Sequence, residues 1–419
     1  MIPPDSAAAL AHWACSGAMR ITGDVSPDPT PANAFAAFTE ELASTTRRLG
    51  VPASAGLSDP GVLLAGRAAL SGRRRAGRTS LNGATRMLRT PQGWWALSLA
   101  RPSDRELLPA LLEQDDVPED PWPLLETEAL RCGDALADRA GLMGMPAALL
   151  GSAPARPIGV ARREEPAPRG VRGALVVDFS ALWAGPLAGA LLAAAGATVV
   201  KVEWADRPDG ARGGAPAFYD WLNAGKLSLA IRTDDDRRLL ARLLDAADVV
   251  LESSRPRALP ALGFGFDRVA RRPGRVWVRI TGHGADAAHA HRTGFGDDAA
   301  CAGGLVGRSD RVPASPVFAA DAIADPLTGV RVATEIARSL DRGGGELLDV
   351  SLSGVAAAYA IAPRVSARVE RRDDDWIVFV DGAPVPVVRP RPPVPVRKAS
   401  ALGADGAAVA RLVERADAA

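Results

Sequence analysis

Residues 173–203 read GALVVDFSALWAGPLAGALLAAAGATVVKVE, and this stretch decides the fold. Ala174 to Phe179 is an apolar run rich in β-branched residues, the pattern of a strand buried on both faces. Ser180 is placed to cap a following helix, and Gly185-Pro186 marks that helix's first turn. Leu187 to Ala195 is apolar on nearly every side, so the helix is expected inside the protein. Gly196 stands where a helix ends in a left-handed residue. Ala197 to Val202 is a second apolar run, and the right-handed crossover rule sets it parallel to the first. A βαβ unit of this kind opens a nucleotide-type domain.

Working outward, 170–362 continues the alternation. Asp234 to Ala246 has an acidic first turn that suits a helix dipole. Val249 to Glu252, Val276 to Thr281 and Leu347 to Ser351 read as strands, and Ile323 to Ser339 as a long helix. Residues 156–169 are rich in proline and charge and read as a linker. Before it, 1–155 carries an amphipathic helix over Ala32 to Leu49, a hairpin over Met87 to Leu99 turning at Pro91 to Gly93, and a second helix over Leu124 to Met143. Ser103 and Glu106 have capping-box spacing. After 362, Asp375 to Val380 pairs with Pro384 to Val388, and Asp405 to Arg415 is a closing helix. The expected class is α/β: a mostly parallel sheet with helices on both faces, a smaller α+β domain within 1–155, and a segment 363–419 packing back on the large domain.

The 419 residues are 47% hydrophobic and 24% charged, with 50 Lys+Arg against 49 Asp+Glu. The chain is therefore globular, and its charge balance points to neither nucleic acid nor a membrane surface. No apolar run reaches the ~18 residues that span a bilayer. Cys15, Cys132 and Cys301 are widely spaced, which fits a reducing cytoplasm rather than a disulfide framework. His283, His289 and His291 lack partners at ligand spacing and read as a loop, so no metal is expected.

Seven motifs in chain order carry a resemblance. The 173–203 stretch is followed by Asn223-Ala-Gly-Lys226-Leu-Ser228, Asp248-Val-Val-Leu-Glu252-Ser-Ser-Arg255-Pro256 and Leu262-Gly-Phe-Gly. Then come Ile280-Thr-Gly-His-Gly284, Gly303-Gly-Leu-Val-Gly307 and Gly344-Gly-Glu-Leu-Leu-Asp349-Val-Ser-Leu352. Together they resemble the family III CoA-transferases. The resemblance implies transfer of coenzyme A between an acyl-CoA and a small carboxylic acid through an aspartyl-CoA intermediate, with CoA as substrate and no permanently bound cofactor, in a homodimer. It implies Asp310 as the attacking carboxylate. It implies a CoA site of Leu182, Trp183, Trp204, Ser253, Ser254, Arg255, Thr281, Gly282 and His283, with a tryptophan stacking on adenine and Arg255 pairing with phosphate. Serines at 253–254, Trp204 and Thr281 replace Asn-Phe, arginine and lysine found in members of that family. Asp297-Asp298 reads as the cap of a helix through Ala302. Asp24 and Asp28 follow a second stretch, 13–23, that resembles the segment preceding the family's aspartate. The small-domain pattern also precedes the nucleotide fold instead of following it, so the chain reads as permuted or partly duplicated. Two other readings stand beside transfer: an acyl-CoA isomerase or racemase, and a degenerate, non-catalytic binder of CoA esters.

Overall fold

A computed structural model describes residues 6–417. In the N-terminal third, β1 (Thr85–Thr90), β2 (Gly93–Ser98) and β3 (Ala147–Leu149) form an antiparallel sheet. The Trp122–Leu142 helix packs on it around Trp95, Leu97, Leu111 and Leu125. The hairpin turns at 91–92, as its Pro-Gln-Gly chemistry predicts.

The large sheet takes β4 (Gly159–Arg162), β5 (Leu175–Asp178), β6 (Thr198–Trp204), β7 (Leu227–Ile231), β8 (Val249–Glu252) and β9 (Val276–Thr281). A short ribbon of β10 (Gly307–Arg308) and β11 (Pro316–Val317) precedes its last strand, β12 (Glu346–Ser351). The order is β4-β12-β9-β8-β5-β6-β7, parallel throughout except for β4, which runs antiparallel on the edge. Four residues of the stretch read as a linker, Gly159–Arg162, therefore belong to the sheet. Its alternating Val160 and Arg162 pair with Leu348 and Glu346, an edge pattern masked in the sequence by the prolines around it.

Two apolar layers cover the sheet. On one face lie the Ala184–Ala194 and Ala324–Asp341 helices, joined by the N-terminal Ser6–Cys15, Ala32–Leu49 and Pro60–Leu70 helices. On the other face the Asp234–Ala246 helix packs with the closing Gly406–Asp417 helix, whose Val409 and Val413 are fully buried. Residues 6–70 thus add to the core of the large domain rather than to the small one. A last three-stranded antiparallel sheet, β13 (Val369–Arg372), β14 (Asp375–Val380) and β15 (Ala383–Pro386), lies beside the first helix.

Two local expectations change. Ser180 does not cap the next helix; its hydroxyl and N–H donate to Asp178 Oδ1, because the chain turns through a left-handed Leu182 (φ 68°) before the helix begins. At Pro102–Glu106 the capping carboxylate is the buried Asp104, which accepts the Arg101 N–H at 2.8 Å, in place of Glu106.

The Ala184–Ala194 and Ala324–Asp341 helices touch at Gly329, where an added Cβ would come 2.6 Å from the Ala184 carbonyl oxygen. Gly329→Ala must push the helices apart, at a cost of about 1–3 kcal/mol. Urea unfolding of this variant should show a lower midpoint with an unchanged slope; an unaltered midpoint would mean the contact is slack.

Candidate functional site

Parallel sheets present ligands at the carboxyl ends of their strands. Along that edge lie Leu182 beyond β5, Trp204 ending β6, Ser253, Ser254 and Arg255 beyond β8, and Thr281, Gly282 and His283 at and beyond β9. These strands are neighbours, so eight of the nine expected contact positions share one rim, and Trp183 is the exception.

A buried ionic network sets the first turn of that rim. Lys226 Nζ lies 2.8 Å from Asp178 Oδ2, and Lys201 Nζ lies 2.7 Å from the Ser180 carbonyl and 2.8 Å from Asp209. Asp209 in turn accepts the Leu182 N–H at 3.0 Å. Burial lowers the Lys226 pKa to about 8 even beside Asp178. The network fixes the turn that exposes Leu182 and turns Trp183 inward.

Trp183 is 1% exposed. Its ring packs edge-on to Phe218 at 5.0 Å, and the Arg67 guanidinium lies 4.4 Å from its centroid. It is a core aromatic and has no face free for adenine, because the left-handed turn at Leu182 drives it under the N-terminal helices. Trp204 is half-buried, edge-on to Phe179 and Phe264. Ser253 Oγ accepts the Ala181 N–H at 3.1 Å, and the exposed Arg255 reaches beside Gly144 of the small domain. Thr281 Oγ accepts the Gly284 N–H at 3.0 Å.

Asp310 does not join them. It lies on an exposed turn after β10, and its oxygens accept the backbone N–H groups of Val25 (3.2 Å) and Ser26 (3.0 Å). Asp28 reciprocates by accepting the Arg308 N–H at 2.6 Å, and Asp24 pairs with Arg311 at 2.6 Å. The three carboxylates stitch two surface turns together. An acid three residues after Gly307 in a polar turn reads like a nucleophile in sequence, but here each of its oxygens accepts a backbone N–H.

The acids brought together are others: Asp297 and Asp298 on the Gly296–Ala302 helix, Asp321, and Asp325 in the first turn of the Ala324–Asp341 helix. Asp321 is held by Arg67 through two bonds, Nε at 2.9 Å and Nη2 at 2.6 Å. Ala320 and Ala322 flank it in left-handed backbone (φ 51° and 46°), a strain of about 1–3 kcal/mol per residue that favours a constrained functional turn. Burial, with Asp321 nearby, raises the Asp297 pKa to about 7 against the pull of Arg67. Burial likewise raises Asp325 to about 7, although Arg67 and the Gly296 N–H oppose it. Burial also works against the Arg67 charge, but Asp321 more than offsets it and the guanidinium stays protonated. Asp297, Asp298 and Asp321 are at most 6% exposed, whereas Asp325 keeps a solvent-accessible edge within the same dense surroundings. Sequence reasoning weighed Asp297 and Asp298 as a polar pair at the site edge, preferred them as capping residues, and missed Asp321, Asp325 and Arg67. Two acids four apart in the otherwise apolar run 317–327, just ahead of a proline-led helix, were the local signal. Asp298 does act in the capping role, accepting the Phe295 N–H at 2.8 Å.

The raised carboxyls make stability fall with pH. Their folded pKa lies above the ~3.9 of a free aspartate, so the neutral form is favoured by folding and the contribution is lost as pH rises through about 7. Asp297→Asn keeps the volume and removes that loss. It should gain on the order of 4 kcal/mol over wild type at pH 8.5, and about half as much at pH 5.5. Equal gains at both pH values in urea titrations would show that Asp297 is not neutral in the folded chain.

Residues 171–373 match a known family, CoA-transferase family III. The chain is 30% identical over 205 residues to succinyl-CoA–D-citramalate CoA-transferase of Chloroflexus aurantiacus, covering 45% of this chain and 51% of that one. It is 37% identical over 135 residues to the probable fatty acyl-CoA transferase Rv3272 of Mycobacterium tuberculosis, covering 29% and 34%. A crystal structure of Rv3272 aligns with a TM-score of 0.44 and 27% identity over 52% of this chain and 66% of that chain. The chain spans about half the length of the curated CoA-transferases it matches, or less. The family segment contains the whole rim and all four clustered aspartates, while Arg67 comes from outside it. Among the described residues no helix is long and apolar enough to cross a membrane, and no group of three or more His, Cys, Asp or Glu is arranged to hold a metal ion.

Proposed function

We propose that this protein moves coenzyme A between an acyl-CoA and a small carboxylic acid, with Asp325 as the attacking carboxylate. The observation that carries the choice is that Asp325 is the one solvent-reachable acid of the buried cluster, while Asp310 has both oxygens on backbone N–H groups. In this reading Asp325 Oδ attacks the thioester carbonyl, the C–S bond breaks and CoA thiolate leaves, forming a mixed anhydride. The thiolate then attacks the Asp325 carbonyl, releases the first acid as carboxylate and leaves an aspartyl-CoA thioester. The incoming carboxylate reverses both steps: it expels CoA thiolate from Asp325, and the thiolate then takes the new acyl group, restoring the free carboxylate. Arg67 balances the charge of Asp321 and limits how far burial raises Asp325. The CoA moiety lies along the rim from Arg255 and Ser253 to Leu182 and Trp204.

Relatives named for succinyl-CoA transfers support CoA esters of short acids as the substrate class. The isomerase or racemase reading has less support, since no histidine touches Asp325 among the described contacts, and the degenerate-binder reading yields to the intact acid cluster. The rearranged segment order and a homodimer belong to the same proposal; a monomeric sedimentation mass at micromolar concentration removes the dimer. The deciding experiment is mass spectrometry of protein incubated with acyl-CoA. A CoA adduct on the peptide containing Asp325 is the expected result, and one on the peptide containing Asp310 overturns the assignment.

A further inference from the structure

Between β15 and the closing helix, residues 387–396 read VVRPRPPVPV. The prolines fix φ at about −65°, and each residue before a proline is held in extended backbone. The run is therefore a polyproline II rod, a helix of about three residues per turn with no internal hydrogen bonds. Burial follows that period. Val387 and Pro393 are buried and Pro390 is half-buried, while Arg389, Arg391, Pro392 and Val394 are exposed, Val394 by 77%. One edge of the rod is seated on the chain, and two edges face out. Two glycines shape the seat. An added Cβ at Gly17 would come 2.5 Å from Pro390 Cα, and one at Gly66 would come 2.9 Å from Pro393 Cδ.

The two outward edges carry basic and apolar groups in alternation. Arg389, Pro392 and Pro395 follow one another along one edge, and Arg391, Val394 and Arg397 along the other. Arg391 pairs with Asp59 at 2.7 Å. Arg389 reaches Asp375 only at 3.4 Å, with the two side chains 69% and 68% exposed, so water holds that charge as well as the acid does. Every charged residue of 387–398 is basic. Among the described residues, no partner hydrogen-bonds a backbone N–H or carbonyl from Arg389 to Lys398, which leaves the rod's carbonyls open. Beside the rod, Ala53, Gly56, Ser58 and Val62 line an open groove of about 620 Å³ whose other wall is Pro392 and Val394. The flank of the exposed ridge is thus clear.

We propose that 389–395 docks a folded partner domain of the SH3 type, with a shallow aromatic-lined groove and an acidic rim. Such a groove takes two edges of a three-sided rod and leaves the third outside. Here the third edge is the one already seated on Gly17 and Gly66. The aromatic faces receive Arg391-Pro392 and Val394-Pro395, and a carboxylate of the rim receives Arg389. A groove that reads a tyrosine beside the prolines does not fit, because the tyrosines of this chain are Tyr219 and Tyr359. Gly66 lies on the Pro60–Leu70 helix that also carries Arg67, so the partner is held on the helix that completes the acid cluster.

Calorimetric titration of the full chain with an isolated SH3 domain that selects Arg-x-x-Pro-x-x-Pro ligands tests this, with an isolated WW domain as the second probe. Wild type should bind the SH3 domain. Arg389→Glu, and the double change Pro392→Ala with Pro395→Ala, should each weaken binding about tenfold or more. Arg74→Glu makes the same charge reversal on the exposed loop 72–78 and should leave binding within about twofold of wild type. Urea unfolding should show all three variants folded, because none removes a buried side chain. No SH3 binding by wild type, undiminished binding in both ridge variants, or an equal loss in Arg74→Glu overturns the docking site. Tighter binding to the WW domain than to the SH3 domain overturns the choice of partner.

Discussion

Asp325→Asn should lower CoA exchange by about 10⁴-fold or more, because an amide is too weak a nucleophile to form the anhydride and leaves no free carboxylate for the cycle to restore. The substitution keeps side-chain volume and removes a carboxyl that burial already pushes toward neutrality, with its pKa raised to about 7. Folding should therefore survive, and the urea midpoint should match or exceed that of wild type at pH 8. Asp310→Asn is the paired control. It loses one charge on an exposed turn and keeps a carbonyl oxygen for one of the two N–H groups it serves. A surface change of this kind costs about 0.5 kcal/mol and should leave exchange within about twofold. Exchange lost in the Asp310 variant and kept in the Asp325 variant reverses the assignment.

Arg67→Leu should be the most damaging change outside the family segment. It strips Asp321 of a two-pronged partner and takes the cation from beneath Trp183. Breaking a buried pair by removing one partner costs about 3–5 kcal/mol, and the unpaired acids bear the cost. Arg67 also lowers the pKa of Asp325 and of Asp297. Without it the ionisation that limits exchange should move up from about 7, so activity at pH 7 falls further than activity at pH 9. Arg67→Lys should recover part of the stability through a single bond, but not the two-pronged geometry. An exchange–pH profile that keeps its wild-type midpoint in Arg67→Leu would show that Arg67 supports the fold without tuning the acid.

Much of this architecture is written locally. The βαβ stretch 173–203 announces itself because a doubly buried strand and an all-round apolar helix have few alternatives, and Gly196 does take the left-handed form (φ 97°) that ends the helix. The hairpin of β1 and β2, the Asp234–Ala246 helix and the closing helix are equally plain from periodicity and caps. The rim follows from the sheet, since any residue after a parallel strand reaches the same edge. The acid cluster is different. Its members come from residue 67, from 297–298 and from 321–325, and none has a periodic signature. What makes them chemically unusual is shared burial, a tertiary property with no fixed spacing. Asp310 drew attention for the opposite reason: its turn-like neighbours are conspicuous in sequence, and the structure uses the residue as a turn cap. Trp183 shows the same limit, since one left-handed residue decided whether its ring met solvent or core.

Arg67 lies in the N-terminal third and Asp321 in the family segment, yet they meet within one chain. Joining the two parts covalently turns site assembly into a unimolecular event, and the local concentration of the arginine is then set by the connecting chain rather than by the amount of protein. A centre built this way gains nothing from mass action between subunits. Its Arg67–Asp321 pair should be as complete at nanomolar protein as at millimolar, whatever larger assembly the molecule enters.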